Sequence, residues 1–385
     1  MIFRAPDKPS LNPTTEMIFF CSACARAPID PLQHYRCPDC FQALDCALES
    51  PATFPKDKIV QRAPTPWRYR EALPDFVSAL ALGEVQTPLV PFEIDGHHLL
   101  LKCDHTQPTG SYKDRGSALL MAYLHRAGIT TAAEDSSGNA GASLAAYAAR
   151  AGIHLQVFCP ASASKAKLAQ IELYGAELVP VAGPRPRATE SLLQYIEQSG
   201  TTYASHLWNP LFIFGIKTLA YEIAEQLNWR APDAIICPVG AGSILLGLYA
   251  GFCDLLADGA VATMPQLVAV QARNVSPLYS AWSSQATEVR AAVNPAATRA
   301  EGIALPQPVR GQQLLAALHQ SQGAVFAIDE KSIEEGVQAL GRGGFCVEPT
   351  AAVVWKGAKE YWETSRQSGQ TVVAVLSGHG LKALS

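Results

Sequence analysis

Short apolar runs of strand character alternate with stretches of helical periodicity through most of this chain of 385 residues. The strand-like runs are HLLLK, TTAAEDS, HLQVFCP, AELVPVA, DAIICPV and QLVAVQA, and alanine- and leucine-rich helical patterns separate them. Strand and helix in turn predict mostly parallel sheets that are covered by helices on both faces. In such folds ligands bind beyond the carboxyl ends of the strands, so the loops that follow the strands are the candidate binding sites.

Composition and charge exclude two classes of partner. With 48% hydrophobic and 17% charged residues, the chain can bury a large core and divide into two or more units. Its formal net charge of -4 leaves no positive footprint for nucleic acid or an anionic membrane. The longest apolar stretch, which starts at Ala234, is interrupted by Pro238 and several glycines, and the N-terminus lacks a signal-peptide run. We expect a cytoplasmic protein with neither a nucleic-acid nor a membrane partner.

Four cysteines near the N-terminus have the spacing C-x2-C-x12-C-x2-C. Each C-x2-C pair turns two sulfur atoms toward one point, so two pairs complete a closed, tetrahedral structural zinc site with no position left for substrate. The predicted ligands are Cys21, Cys24, Cys37 and Cys40. A redox-active cysteine pair is the alternative, and Cys46 is expected to be a fifth thiol outside the site.

One lysine, two glycine-containing loops and one serine carry the candidate chemistry. Lys113 follows a Pro-Thr-Gly-Ser turn and opens a helix in HTQPTGSYKDRG. The loops SSGNAG, from Ser136, and VGAGS, from Val239, each follow a strand and open a helix, so their backbone N–H groups suit a carboxylate and a phosphate respectively. Ser377 ends an apolar strand in VVAVLSGHGLK. Taken singly, each has an ordinary alternative: a solvated loop lysine, a strand-to-helix turn or a simple strand exit.

Five segments occur together in one order: HTQPTGSYKDRG, SSGNAGASLAAYAARAG, PVGAGSILLG, GGFCVEPTAA and VLSGHGLK. In order and spacing they resemble the pyridoxal phosphate (PLP) enzymes of the tryptophan synthase β group, most closely the threonine synthase family, over roughly 300 residues from about residue 85 to the end. The resemblance implies PLP fold type II, an α/β architecture of two open, mostly parallel twisted sheets flanked by helices. An N-terminal cysteine ribbon also occurs among threonine synthase-like proteins.

The resemblance and the cysteine spacing together predict four segments. Residues 1–50 form the zinc-ribbon-like segment, and residues 51–104 form a linker and the start of the large PLP-binding domain. Residues 105–204 form a smaller α/β domain, and residues 205–385 form the rest of the large PLP-binding domain. The linker prediction applies to residues 51 to about 75, which are rich in proline and charge.

Site residues are implied by the same resemblance, position by position. Lys113 supplies the amine that forms a Schiff base with PLP and then moves protons at the substrate Cα and Cβ. Asn139 hydrogen-bonds the ring hydroxyl, and Ser377 meets the pyridine nitrogen as a neutral hydroxyl, which favours elimination and replacement over transamination. The PLP phosphate is held by Gly240, Ala241, Gly242 and Ser243. The substrate is bound by Ser111, Ser136, Ser137 and Gly138. Arg115 is either a catalytic residue or part of an ion pair on the helix surface.

The substrate is less constrained, because the chain departs from the family at one motif. Relatives commonly read N-P-x-R-x-E-G-x-K where this chain reads NPLFIFGIK, which puts Phe212 at the position of the arginine and Phe214 at the acidic position. That departure removes an expected ligand of the substrate phosphate. The possible replacements are Lys165, Lys167 and Lys217.

We therefore expect a PLP-dependent carbon-oxygen lyase of amino-acid metabolism, with threonine synthase, which converts O-phosphohomoserine and water to threonine and phosphate, as the leading activity. A cysteate synthase-like β-replacement enzyme and a serine/threonine dehydratase-type ammonia-lyase are the alternatives. A non-catalytic module whose ribbon docks a partner is disfavoured by the intact Lys113 and Asn139, and it would purify without the colour of a PLP imine. By analogy with the family we also expect a homodimer.

Overall fold

Strands and helices alternate along most of the chain. The computed structural model describes residues 17–76, 80–163, 165–183, 185–365 and 369–382, and it gives the backbone alone for residues 165–167. Within these ranges the strands are Met17–Phe20 (β1), Asp45–Leu48 (β2), Leu89–Ile94 (β3), His97–Lys102 (β4), Thr131–Glu134 (β5), His154–Pro160 (β6), Glu177–Val181 (β7), Thr202–Tyr203 (β8), Ala234–Pro238 (β9), Gln266–Ala272 (β10), Ala324–Ile328 (β11) and Val372–Val375 (β12). The α-helices are Lys56–Ile59 (α1), Lys113–Arg126 (α2), Asn139–Ala151 (α3), Lys165–Leu173 (α4), Arg185–Ser199 (α5), Pro210–Gln226 (α6), Ser243–Ala257 (α7), Pro277–Ser283 (α8), Gly311–Gln320 (α9), Glu330–Arg342 (α10) and Pro349–Thr364 (α11).

Two sheets of mostly parallel strands organise the main body. The larger sheet has six strands in the order β11-β10-β9-β12-β4-β3, and only the pair β3 and β4 is antiparallel. The smaller sheet has four parallel strands in the order β7-β6-β5-β8. The fold class expected from the sequence is therefore confirmed, whereas the division into four segments stays a prediction.

Burial explains why the central strands read as continuous apolar runs. Strands β9 and β12 are buried at every residue, as expected when helices cover both faces of a parallel sheet. Along β9, Ile235 and Cys237 belong to one hydrophobic core, whereas Ile236 belongs to the core on the other face. The apolar stretch from Ala234 is thus shared between β9 and α7. Within the described ranges, no helix combines the length and the hydropathy needed to cross a membrane.

The segment after the ribbon departs from the prediction of a surface linker. Phe54, Ile59, Trp67 and Tyr69 are all buried, and all four belong to the main hydrophobic core. Their spacing follows neither strand nor helix periodicity, because the segment is built of single turns, and prolines and charges separate the apolar residues. Composition alone therefore pointed to a solvated linker where the chain packs against the body.

Candidate active site

A cavity of about 920 Å³ is lined by the segments that follow β5, β9 and β12. It brings together all of the predicted cofactor-binding residues and three of the four predicted substrate-binding residues. These residues are Lys113, Ser136, Ser137, Gly138, Asn139, Gly240, Ala241, Gly242, Ser243 and Ser377. The position agrees with the expectation that ligands bind beyond the carboxyl ends of parallel strands.

Lys113 is the first residue of α2, and its side chain reaches the cavity. Its Nζ donates a hydrogen bond to Tyr112 Oη at 2.6 Å, and that hydroxyl lies 3.0 Å from Ser243 Oγ. The backbone N–H of Tyr112 donates to the carbonyl of Ser377 at 3.0 Å, which ties the turn before α2 to the end of β12. Tyr112 therefore links the lysine amine to the glycine loop, a contact that the sequence did not predict.

Two glycines in the loop after β9 are required for different reasons. Gly242 has a φ of +85°, in the left-handed region, and a Cβ there would also lie 2.3 Å from a methyl carbon of Leu314. A Cβ on Gly240 would lie 2.7 Å from the Cα of Ile303. Without side chains at these positions, the loop backbone and the N-terminus of α7 line the cavity, which is the arrangement that suits a phosphate.

Asn139 begins α3 and lies between two charged groups. Its Nδ2 donates to both carboxylate oxygens of Glu348 at 3.0 Å, and its Oδ1 accepts from Lys382 Nζ at 3.0 Å. Burial raises the pKa of Glu348, although the hydrogen bond from Asn139 opposes the shift. Burial lowers the pKa of Lys382, against the attraction of nearby carboxylates. These two partners fix which way the Asn139 amide faces.

Three buried serines, Ser111, Ser117 and Ser377, have hydroxyl groups without a hydrogen-bond partner in the described part of the chain. Ser377 is 2% exposed and lines the cavity, whereas Ser111 is fully buried and lies outside the lining. A buried hydroxyl that lacks a partner costs about 1–3 kcal/mol. The Oγ of Ser377 borders the cavity, so a ligand that forms a hydrogen bond with it would remove this energetic cost. Ser111 pairs through its backbone with Gly378, so its position supports the lysine turn.

A buried histidine of the cavity wall, His206, is paired with a buried glutamate behind it, and neither was predicted from the sequence. His206 Nδ1 is hydrogen-bonded to Glu134 Oε1, and Glu134 Oε2 has no partner among the described residues. Burial raises the pKa of Glu134 well above its usual value, and burial lowers the pKa of His206, with Lys113 and Arg185 adding to the effect on the histidine. Both directions favour a neutral pair, in which a protonated Glu134 donates to Nδ1 and the Nε2–H of His206 is a hydrogen-bond donor.

Arg115 corrects both interpretations offered from the sequence. It is fully buried, so it is not part of a surface ion pair, and it does not line the cavity. Its guanidinium binds both carboxylate oxygens of Asp104 at 2.7 Å and those of Glu222 at 2.8 and 2.9 Å. Lys102 Nζ donates to the same Glu222 at 2.6 Å. Two residues along an α-helix turn through about 200°, which places Lys113 and Arg115 on opposite sides of α2.

Phe212, at the position where the resemblance led us to expect a substrate-phosphate arginine, is fully buried and does not line the cavity. Its ring packs so close to α2 that a Cβ on Gly116 would lie 2.8 Å from it. The ring centroid lies 5.6 Å from Lys113 Nζ. The departure from the family motif thus changes the surface beneath the lysine, not the open wall of the cavity.

The three lysines named as replacement phosphate ligands gain no support. Lys217 is buried in an ion pair with Asp254, outside the cavity lining. The side chains of Lys165 and Lys167 lie outside the described residues. The wall instead contains Arg185, an exposed arginine with no hydrogen bond or ion pair to the part of the chain that the structure describes. It is a cation available to an anionic substrate group.

The four N-terminal cysteines converge as their spacing predicted. Their sulfur atoms all lie within 4.8 Å of one another. Burial opposes ionisation of Cys37, but hydrogen bonds from backbone N–H groups and from Cys24 lower its pKa to about 7. A thiolate is the form that binds zinc, so the cluster has the chemistry of a metal site. Cys46 lies on β2, outside the cluster.

Comparison with known proteins agrees with the cavity geometry. The family model described as "Pyridoxal-phosphate dependent enzyme" matches residues 80–378. The threonine synthase of Methanocaldococcus jannaschii is 32% identical over 337 residues, which cover 85% of this chain and 83% of the relative. The threonine synthase of Methanosarcina acetivorans is 30% identical over 357 residues, covering 90% and 88%.

Solved structures show the same fold. A threonine deaminase from T.th. has a TM-score of 0.65 at 25% identity, over 76% of this chain and 92% of that one. The processed threonine deaminase isoform 2 from Solanum lycopersicum has a TM-score of 0.68 at 21% identity, over 86% of each chain. The family model covers well over half of the chain, and it confirms the resemblance drawn from the five segments. The chain therefore belongs to the family of pyridoxal-phosphate dependent enzymes.

Proposed function

We propose that this protein is a PLP-dependent lyase that performs elimination or replacement on the side chain of an activated amino acid, with threonine synthase as the leading activity. One observation carries the proposal: a single cavity holds the Lys113 amine, a glycine loop at a helix N-terminus and a buried serine hydroxyl without a partner among the described residues. The threonine synthases that are 32% and 30% identical over most of the chain support the choice of reaction.

The residues present fit the cofactor. Ser377 Oγ, which lacks a partner among the described residues, would hydrogen-bond the pyridine nitrogen, and the loop from Gly240 to Ser243 would bind the phosphate. Asn139 would hold the ring hydroxyl, with Glu348 and Lys382 fixing its amide. PLP supplies the electron sink that makes elimination and replacement at Cβ or Cγ accessible. A neutral serine does not force the ring nitrogen to remain protonated, which favours these reactions over transamination.

Lys113 would hold the cofactor and, once the substrate amine has taken its place, move the proton at the substrate Cα. Its Nζ already donates to Tyr112, so the amine has a fixed direction in the cavity. Ser136, Ser137 and Gly138 precede α3, whose N-terminus favours a carboxylate, and they would bind the substrate carboxylate.

Substrate choice depends on which residues bind the group at the end of the substrate side chain. Arg185 and the His206 donor would bind an anionic or hydrogen-bond-accepting group, which agrees with a phosphorylated substrate. The buried Phe212 favours the second candidate, a serine/threonine dehydratase-type ammonia-lyase, because that reaction needs no phosphate ligand. A cysteate synthase-like β-replacement is the remaining alternative.

The cysteine cluster would hold a structural zinc ion. Metal analysis of the purified protein tests this, with about one zinc per chain expected and its loss in Cys37→Ser. A cytoplasmic location and a homodimer stay predictions; sedimentation of the purified protein tests the second.

The decisive experiment is an absorbance spectrum of the purified protein before and after addition of O-phosphohomoserine, with phosphate and threonine assayed in the same sample. A shift of the cofactor band with release of both products supports threonine synthase. No response to O-phosphohomoserine, together with a shift and ammonia release on addition of serine or threonine, would replace it by the dehydratase. Absence of a cofactor band would contradict both.

A further inference from the structure

One wall of the cavity is a loop, residues 205–209, between β8 and α6; we call it the wall loop. It carries His206 and Leu207, which line the cavity. Within the loop, Ser205 Oγ accepts from two backbone N–H groups, and Asn209 caps α6. His206 is hydrogen-bonded to Glu134 at the end of β5. Contacts of the following residues, Leu207 and Trp208, with other segments also help to fix the position of the loop in the cavity.

Arg310, which does not line the cavity itself, provides such contacts. Its side chain is 2% exposed, and its Nη2 donates to the carbonyl of Trp208 at 2.9 Å and to that of Leu44 at 2.7 Å. Its Nε lies 3.4 Å from the carbonyl of Leu207, and its Nη1 pairs with Asp45 at 3.1 Å. One buried guanidinium thus joins the wall loop to the start of β2, which belongs to the N-terminal ribbon. Buried arginines that bridge several acceptors hold them in fixed geometry.

Tyr35 forms a second connection. Its ring meets Trp208 edge-on, with 5.5 Å between centroids, and meets Tyr203 at the same distance. Tyr203 Oη in turn donates to Asp135, the residue after Glu134. Tyr35 lies two residues before Cys37, so the ribbon's second cysteine pair packs next to the wall loop.

The cofactor side of the cavity lacks this support. Among the described residues, no hydrogen bond or ring contact runs directly from residues 17–48 to the glycine loop, residues 239–243, or to Ser377. Hydrogen bonds and ring contacts therefore join the ribbon to the wall expected to meet the substrate and, among the described residues, not to the residues expected to hold PLP.

We propose that the N-terminal ribbon positions the wall loop, with Arg310 and Tyr35 as the positioning residues that keep His206 in the cavity. This inference rests on the proposed function, since it takes the cavity as the place where an amino acid binds. Loosening the ribbon should weaken amino-acid binding and leave PLP binding unchanged, because coupling follows the physical contacts.

The first test measures hydrogen exchange of backbone amides in the PLP-loaded protein. The variants are Arg310→Gln and the milder Tyr35→Leu, and Arg62→Gln is the matched control. Arg62 also bridges a carboxylate and a carbonyl, those of Glu71 and Arg68, without touching the wall loop. We expect exchange in residues 205–209 to rise about tenfold or more in both test variants, with residues 239–243 unchanged and the control unaffected. Equal acceleration in both loops, or in neither, would overturn the proposal.

The second test measures binding. Wild type and variants are titrated with O-phosphohomoserine, O-phosphoserine, serine and threonine, and the shift of the cofactor band gives each dissociation constant. We expect the dissociation constant of the amino acid to be about tenfold larger in Arg310→Gln, because small displacements of a binding wall have effects of this size. The PLP affinity should equal that of wild type. A loss of PLP affinity in parallel would contradict positioning of the wall alone. If no amino acid shifts the wild-type band, the proposed function fails, and the exchange data still decide whether the ribbon holds the wall loop.

Discussion

The first turn of α2 carries two cations with different surroundings. The Lys113 amine lies in a cavity and donates to the hydroxyl of Tyr112. Arg115 is closed off from solvent, with Asp104 and Glu222 around its guanidinium. The same helix thus presents a reactive group on one side and an anchored group on the other.

The difference concerns how completely the polar groups are satisfied. In the buried cluster around Arg115, all four side chains are fully buried and paired, so the cluster fixes α2 relative to β4 and α6. In the cavity, the Ser377 hydroxyl is buried without a partner within the described residues, and the exposed Arg185 guanidinium has no hydrogen bond or ion pair to them. The buried unsatisfied hydroxyl costs stability, and both groups are available to a cofactor or substrate.

Replacement of Lys113 should have the largest effect on function and little effect on stability. We expect Lys113→Ala to lower turnover by about a thousandfold or more, since no amine remains to move the substrate proton. Its thermal midpoint should stay close to that of wild type. Initial rates and a thermal melt measure both quantities, with Lys359→Ala, a lysine on α11 that is paired with Asp95 and does not line the cavity, as control. Activity retained in Lys113→Ala would remove this lysine from the mechanism.

Replacement of Arg115 should have the opposite signature. Arg115→Met leaves the buried carboxylates of Asp104 and Glu222 without their main partner, so we expect a loss of about 3–5 kcal/mol in the free energy of unfolding. Denaturant unfolding without PLP measures it. The free energy of unfolding of Arg115→Lys should lie between those of wild type and Arg115→Met, because an ammonium cannot bind both carboxylates through paired hydrogen bonds. A stable but inactive Arg115→Met would mean that Arg115 acts in the cavity after all.

The parts that the sequence predicted are local in the chain. Strand and helix periodicity predicted the sheets, and glycine-containing loops that open helices marked Gly242 and Asn139 as cavity residues. Each of these features lies within fewer than about ten consecutive residues, so pattern and spacing are enough to find it.

The parts that the sequence missed depend on contacts between distant residues. Glu134 and His206 meet across 72 positions, and Arg310 reaches Leu44 across 266. No short pattern contains either pair. Arg115 was misjudged for the same reason: its burial depends on Glu222, 107 positions away. The sequence marked Phe212 as an expected departure from the family motif, but only packing against Gly116 shows that it lies beneath the cavity.

Removal of a single buried hydroxyl should weaken PLP binding when the serine lines the cavity and should leave PLP binding unchanged when it does not. Ser377→Ala is expected to weaken PLP binding about tenfold, the value of one hydrogen bond of about 1–1.5 kcal/mol, and to leave the apoprotein at least as stable as wild type. Ser111→Ala is the matched control, because its hydroxyl is also buried without a partner among the described residues but does not line the cavity. Equilibrium titration with PLP compares the two. Equal losses of affinity would show that burial, and not contact with the cofactor, explains the effect.

The smallest expected effect is that of Tyr112→Phe, which removes the hydroxyl between Lys113 and Ser243 and keeps the ring. Turnover and PLP affinity should each fall by a few fold, about 1 kcal/mol or less, because both partners border the open cavity and can take a water in place of the hydroxyl. Tyr123→Phe controls for loss of a tyrosine hydroxyl elsewhere on α2. Steady-state rates and PLP titration measure the pair. A loss in Tyr112→Phe as large as that in Lys113→Ala would assign the tyrosine itself to proton movement, so the start of α2 and the turn before it would then hold two catalytic groups instead of one.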